Sequence, residues 1–127
     1  MKTIIETKNA PAPIGPYNQA ILSGNTLYTS GQIALNPNTG ELQNSTIEEE
    51  TTCVMQNLQA VLEAADMTFE SVIKSTIFIA DMKDFSKINE IYGQYFNAAT
   101  APARETVEVA NLPKYVSVEI SMIAVNN

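Results

Sequence analysis

The last strand-like stretch of this chain can face only one way. In "VSVEISMIAV", residues 116–125, Val116, Val118, Ile120, Met122 and Ala124 share one face, while Ser117, Glu119 and Ser121 share the other. A strand with that two-residue period needs a cover on its apolar side, and the chain offers two amphipathic helical stretches to supply one. The first opens at "STIEEE", which reads as a capping box with Ser45 as N-cap and Glu48 three residues on. It carries Ile47, Val54, Leu58, Val61, Leu62 and Ala65 at helical spacing and ends near Asp66. The second, "DFSKINEIYGQYF" (84–96), puts Phe85, Ile88, Tyr92, Tyr95 and Phe96 on its buried stripe.

Between and around the helices lie further strands. Residues 18–34 read as a hairpin, with "NQAILS" and "TLYTSGQI" flanking the two-residue turn Gly24-Asn25, followed by a loop of turn formers, "NPNTGE". "SVIKSTIFIA" (71–80) is a β-branched run expected to place Ile73, Ile77 and Ile79 on one face and Val72, Phe78 and Ala80 on the other. Apolar groups on both faces predict a central strand. "RETVEVA" and the last strand close the chain across "NLPKY". The order strand, hairpin, helix, strand, helix, two strands predicts an α+β domain with helices over one sheet face, occupying residues 1–127 as one unit. The open face mixes Ser117, Glu119 and Ser121 with Ile123 and Val125, a composition that suggests burial between copies of the chain.

Charge and missing residue types narrow the chemistry. Fourteen acids against seven bases give a net charge of −7, which argues against nucleic-acid binding through phosphate neutralisation. The N-terminus shows no apolar h-region and no run is long enough to span a bilayer, so a cytoplasmic, membrane-free protein is expected. The single cysteine, Cys53, excludes an internal disulfide and reads as a small packing residue beside Val54. The chain contains no histidine, so Ser-His-Asp and Cys-His nucleophile systems and His- or Cys-rich zinc sites are impossible. Glu48, Glu49 and Glu50 are consecutive, fan out around a helix, and read as a solvated first turn complementing the helix dipole. Acid–base work therefore falls to a carboxylate, a tyrosine, a lysine or a bound water.

Arg104 is the only arginine, set within the strand "RETVEVA". One reading is a structural ion pair, with Glu119 on the last strand as a cross-strand partner; Glu108, about 13 Å along the same strand, is too far. The other is an anion site, because a planar fork of five donors suits a substrate carboxylate. The residues alone leave both readings open.

Four blocks, "APAPIGPYNQA" (10–20), "YTSGQIALNPNTGE" (28–41), "DMKDFSKINEIYGQYF" (81–96) and "PARETVEVANLPKYVSVEISMIAV" (102–125), resemble the Rid/YjgF family of enamine/imine deaminases, in order and end to end. The resemblance implies a chorismate-mutase-like fold, a mixed sheet with two helices on one face, assembled as a homotrimer with sites between subunits. It implies hydrolysis of 2-aminoacrylate, 2-iminopropanoate and 2-iminobutanoate to 2-keto acids and ammonia, with no cofactor and no metal. On the matching positions, Arg104 grips the substrate carboxylate and Glu119 holds or activates the attacking water. Tyr17 lines the pocket, Asn89 is a polar pocket residue, Ser30 and Gly31 border the site, and the Thr106 backbone contacts substrate.

Two positions depart from the family pattern. Glu105 stands where a small residue is usual after the arginine, and strand alternation points it away from Arg104. Ala34 replaces a common Pro without removing any catalytic group.

The residues also bear plainer readings. Tyr17 after Pro16 could anchor a turn, Asn89 could be a solvated helix residue, Ser30-Gly31 could mark a β-bulge, and Glu119 could serve only as the partner of Arg104. At the level of function, a binding protein for a small 2-keto or amino acid would use the same cleft. A ribonuclease, a role also linked to the family, fits poorly with the charge and the missing histidine.

Overall fold

A computed structural model describes residues 1–126. A six-stranded sheet runs in the order β1-β2-β3-β6-β4-β5. The strands are β1 (Lys2–Ile5), β2 (Ala20–Ser23), β3 (Thr26–Thr29), β4 (Val72–Ile79), β5 (Ala103–Glu108) and β6 (Val118–Val125), with helices α1 (Ile47–Ala64) and α2 (Phe85–Gly93) between them. All neighbours are antiparallel except β4 and β5, which are parallel and need the α2 crossover to connect them. The architecture is mixed α+β, as the element order predicts.

The alternation of the last strand is realised in full. Val116, Val118, Ile120, Met122 and Ala124 are all buried, and with Ile77 and Ile79 of β4 they meet Val54, Leu58, Val61 and Leu62 of α1 and Ile88 and Tyr92 of α2 in one core cluster or directly beside it. The Gly24-Asn25 turn joins β2 to β3 with Gly24 at φ 62, the left-handed value for which the first position of a type II′ turn selects glycine. α1 stops where Asp66 turns left-handed at φ 57.

Four local expectations are corrected. The N-cap of α1 is Thr46 and not Ser45: Thr46 is extended, its hydroxyl accepts from Glu49 N at 3.0 Å, and Glu49 in return accepts from Ser45 N at 3.2 Å. The cap thus falls one residue later than Ser45, and the Glu49 carboxylate bonds the amide of the residue before the cap, not that of the cap itself. Glu50 is not solvated; it is 2% exposed and turned into the protein. Ile73 does not join Ile77 and Ile79, because a bulge between Val72 and Lys74 shifts the pairing with β6, burying Val72 and leaving Ile73 exposed. α2 ends at Gly93; Tyr95 and Phe96 follow it and reach the core edge by packing their rings 5.2 and 5.4 Å from Phe69.

Among the described residues, the second sheet face carries no helix. Ile4 and Tyr28 are half exposed there, and Ile21 and Ile123 complete a row across β1, β2, β3 and β6. No helix among the described residues is long and apolar enough to cross a membrane.

Candidate functional site

The lone arginine is placed by strand register. Arg104 lies opposite Ser75 of β4, which is fully buried on the helix side, so its side chain rises on the helix-covered face at the open edge of the sheet. α2 receives it there. Asn89 Oδ1 accepts from Arg104 Nη1 at 2.7 Å, and the guanidinium carbon sits 5.1 Å from the Tyr92 ring centre and 5.7 Å from that of Phe85. Tyr92 is held in turn by donating its hydroxyl to Ser75 Oγ at 2.8 Å. Among the described residues the Asn89 contact is the only hydrogen bond of the fork, so its other donors are free. Asn89 is therefore not merely a solvated helix residue.

Glu119 lies elsewhere. It pairs with Phe78 of β4, on the face away from the helices, and β5 pairs with β4 and not with β6. Arg104 and Glu119 of one chain thus stand on opposite faces of the sheet, which overturns the reading of them as a cross-strand ion pair. Glu105 does point away from Arg104, and its carboxylate pairs with Lys74 at 2.9 Å on the open face.

Two cavities follow from this division. One of about 530 Å³ gathers Tyr17, Ser30, Gly31 and Glu119, with Pro113 and Lys114 at its edge. The other, of about 460 Å³, is lined by Asn89, Tyr92, Pro102 and Arg104. Thr106, two residues beyond Arg104 on the same face, has a buried hydroxyl without a hydrogen-bond partner. The seven expected site residues are thus brought together in two groups, Tyr17, Ser30, Gly31 and Glu119 in one and Asn89 and Arg104 with Thr106 nearby in the other.

Local structure explains the first group. β3 meets β6 at Tyr28↔Ile123, and the next bridge is Gln32↔Ile120, so the chain carries one more residue between the two points than β6 does. That bulge spans Ser30-Gly31 and brings Gly31 against Glu119. Tyr17 closes the rim, with its phenol oxygen accepting from Ile14 N at 3.2 Å. Burial pushes the Glu119 carboxyl above the ordinary value of 4.5.

Buried amides hold the walls. Gln19 accepts from Thr7 N at 2.7 Å and donates to the Pro11 carbonyl at 2.8 Å. Asn57 of α1 donates to the carbonyls of Ile33 and Leu35 at 3.2 and 3.0 Å. Pro11, Ile33 and Leu35 all line the Glu119 cavity.

Sequence reasoning missed Phe85 and Tyr92 as partners of the arginine. The signal was present: Phe85, Asn89 and Tyr92 stand at i, i+4 and i+7, one stripe of one helix. Gln19 and Asn57 gave no such signal, because their partners are backbone groups distant in sequence.

A fold that divides an arginine fork and a partly buried carboxylate between two faces of one sheet defines a class, and comparison with known proteins identifies it. The family described as endoribonuclease L-PSP matches residues 7–126. The 2-iminobutanoate/2-iminopropanoate deaminase of Homo sapiens is 42% identical over 98% of this chain and 90% of its own length. A Rid family protein, YyfA from Yersinia pestis, superimposes with a TM-score of 0.96 at 49% identity, covering 99% of this chain and 100% of the other. The structure of E. coli TdcF with bound serine does so with a TM-score of 0.92 at 42% identity, covering 98% and 99%. The chain belongs to the Rid/YjgF family.

Proposed function

We propose that this chain is a single-domain, cofactor- and metal-independent deaminase of chorismate-mutase-like fold. It hydrolyses 2-iminopropanoate, 2-iminobutanoate and their enamine tautomers in clefts of a homotrimer, in the cytoplasm. The observation that carries the reading is the separation of Arg104 and Glu119 onto opposite faces of one sheet. Each borders a cavity that lacks the other's chemistry, and a second copy laid against the uncovered face supplies what is missing. Ile4, Tyr28 and Ile123 on that face give such a contact its apolar area.

In the joined site the free donors of Arg104 take the substrate carboxylate, with the Thr106 backbone beside them. Glu119, Tyr17, Ser30 and Gly31 of the neighbouring copy surround C2. The imine carbon is already electrophilic, so water adds to it directly. With the imine nitrogen protonated, the water oxygen bonds to C2, Glu119 takes a water proton, and the C=N electron pair moves to nitrogen, giving a 2-amino-2-hydroxy acid. Glu119 then gives that proton to nitrogen and takes the hydroxyl proton as the oxygen electron pair closes the C2=O bond and the C–N bond breaks; ammonia leaves with the 2-keto acid and carries off the proton from Glu119 as ammonium. A carboxyl whose pKa is raised by burial suits both directions of that transfer.

The serine bound to TdcF of E. coli favours a second reading, a protein that binds small amino or 2-keto acids without turning them over. Generation of 2-aminoacrylate and 2-aminocrotonate in situ, with ammonia release followed in time, separates the two. Faster imine decay is expected with the wild-type protein. Ligand binding by calorimetry with no acceleration of decay would establish the binding protein instead.

A further inference from the structure

Glu50 has no place in that chemistry, and its burial calls for a reason. A carboxylate in the first turn of α1 ordinarily stays in water, yet this one is 2% exposed and, among the described residues, pairs with no cation. Its Oε2 accepts from two consecutive backbone groups, Ser117 N at 2.7 Å and Val118 N at 3.1 Å. Removal of a carboxylate from water is costly, and burial pushes the Glu50 carboxyl above 4.5 even though both N–H bonds and the Ser117 side chain oppose the shift. The nearby Asp84 carboxylate adds to the cost. Both amides converge on the same oxygen, so one acceptor atom ties two successive residues of the chain.

The anchored groups immediately precede Glu119. Ser117 is tied on its other side by its carbonyl, which accepts from Ala80 N at 3.0 Å, so the entry to β6 is fixed from both directions. We propose that Glu50 is a positioning residue for Glu119: by fixing the Ser117 and Val118 amides it sets where the Glu119 carboxylate stands opposite Gly31. It completes the set begun by Gln19 and Asn57, buried side chains that each hold the backbone of one wall of the same cavity. Glu50 is the charged member, and it holds the wall that carries the reacting group.

The inference rests on the reading of Glu119 as the proton acceptor, and its test has arms that do not need turnover. Glu50→Gln keeps the reach and an acceptor oxygen; Glu50→Asp keeps the charge but falls short by one methylene. In each variant and the wild type, three quantities are measured: amide hydrogen exchange at Ser117 and Val118, the titration of the Glu119 carboxyl by carbon-detected NMR, and kcat with KM for imine decay. Glu50→Asp is expected to speed exchange of the two amides by about tenfold and to return the Glu119 titration toward an ordinary carboxylate. Its kcat should drop about tenfold with KM within about twofold, the signature of a displaced reacting group and not of lost binding. Glu50→Gln is expected to stay within about twofold of wild type throughout. An Asp variant with unchanged exchange and titration overturns the proposal, and so does a Gln variant in which Glu119 titrates as an ordinary carboxylate. If the wild type shows no imine turnover, the deaminase reading fails while exchange and titration still decide the role of Glu50.

Discussion

Gly31 makes room for Glu119. A Cβ built on Gly31 would stand 2.8 Å from Glu119 Cδ and 2.9 Å from both Cγ and Oε2, closer than real side chains approach. The atoms in the way belong to a flexible side chain, so Gly31→Ala should displace the carboxylate and leave the fold intact. Circular dichroism is expected to show an unchanged fold. Imine turnover should fall by up to about a hundredfold, the scale associated with a misplacement of about 1 Å. Full activity in Gly31→Ala would mean that the position of Glu119 is unimportant.

On the proposed function, the fork of Arg104 should not be replaceable by a point charge. Arg104→Lys and Arg104→Ala should each lose about 2–4 kcal/mol of transition-state stabilisation, measured as kcat/KM, with melting temperature and assembly retained. Asn89→Ala leaves the guanidinium in place without its one fixed bond, so a smaller loss, concentrated in KM, is expected. Retained turnover in Arg104→Ala would show that the only arginine does not serve the substrate.

Burial raises the Glu119 carboxyl above 4.5, and two pH effects follow. A proton acceptor must be ionised, so kcat should climb with pH through an apparent value above that of a free carboxylate, and Glu119→Gln should remove both the climb and most of the turnover. For stability, the native state binds more protons than the unfolded chain between 4.5 and the raised value. Stability from this group is therefore highest below 4.5 and falls as pH rises through that window. Glu119→Gln should melt higher than wild type at pH 7 while losing activity, with the difference closing under acid conditions. A lower melting temperature at pH 7 would contradict this.

Light scattering at micromolar concentration should give about three times 13.8 kDa. Tyr28→Lys puts a charge into the half-exposed apolar row on the uncovered face and should shift the protein toward smaller species, with activity lost in parallel. A monomeric wild type with full turnover would refute the shared site.

Much of the fold was written in local pattern. The β6 alternation, the Gly24-Asn25 turn and the apolar stripe of α1 each depend on neighbours within a few residues, and each forms as read. Failures came where distant chain decides. Thr46 displaces Ser45 because the backbone turns helical one residue later than the motif suggests. Ile73 loses its face to a bulge that exists only in the pairing with β6. Glu50 could not be told from Glu48 and Glu49, since its reason for burial lies in amides 67 and 68 residues away. The face taken by Arg104 is set by parallel pairing with β4, and strand alternation alone does not supply that register.

The bed prepared for Arg104 bears on what binding costs. A free arginine side chain samples many rotamers, and a ligand that grips it must freeze them, at about 0.5–1.5 kcal/mol for such a side chain. Here Asn89 on one nitrogen and the rings of Phe85 and Tyr92, centred 5.7 and 5.1 Å from its carbon, already confine the guanidinium. Tyr92 is itself locked through Ser75, so the restraint reaches into the core. Much of the rotational entropy has thus been surrendered during folding, before any small molecule arrives. A ligand with few atoms, able to make only a handful of contacts, meets a receptor that is already still.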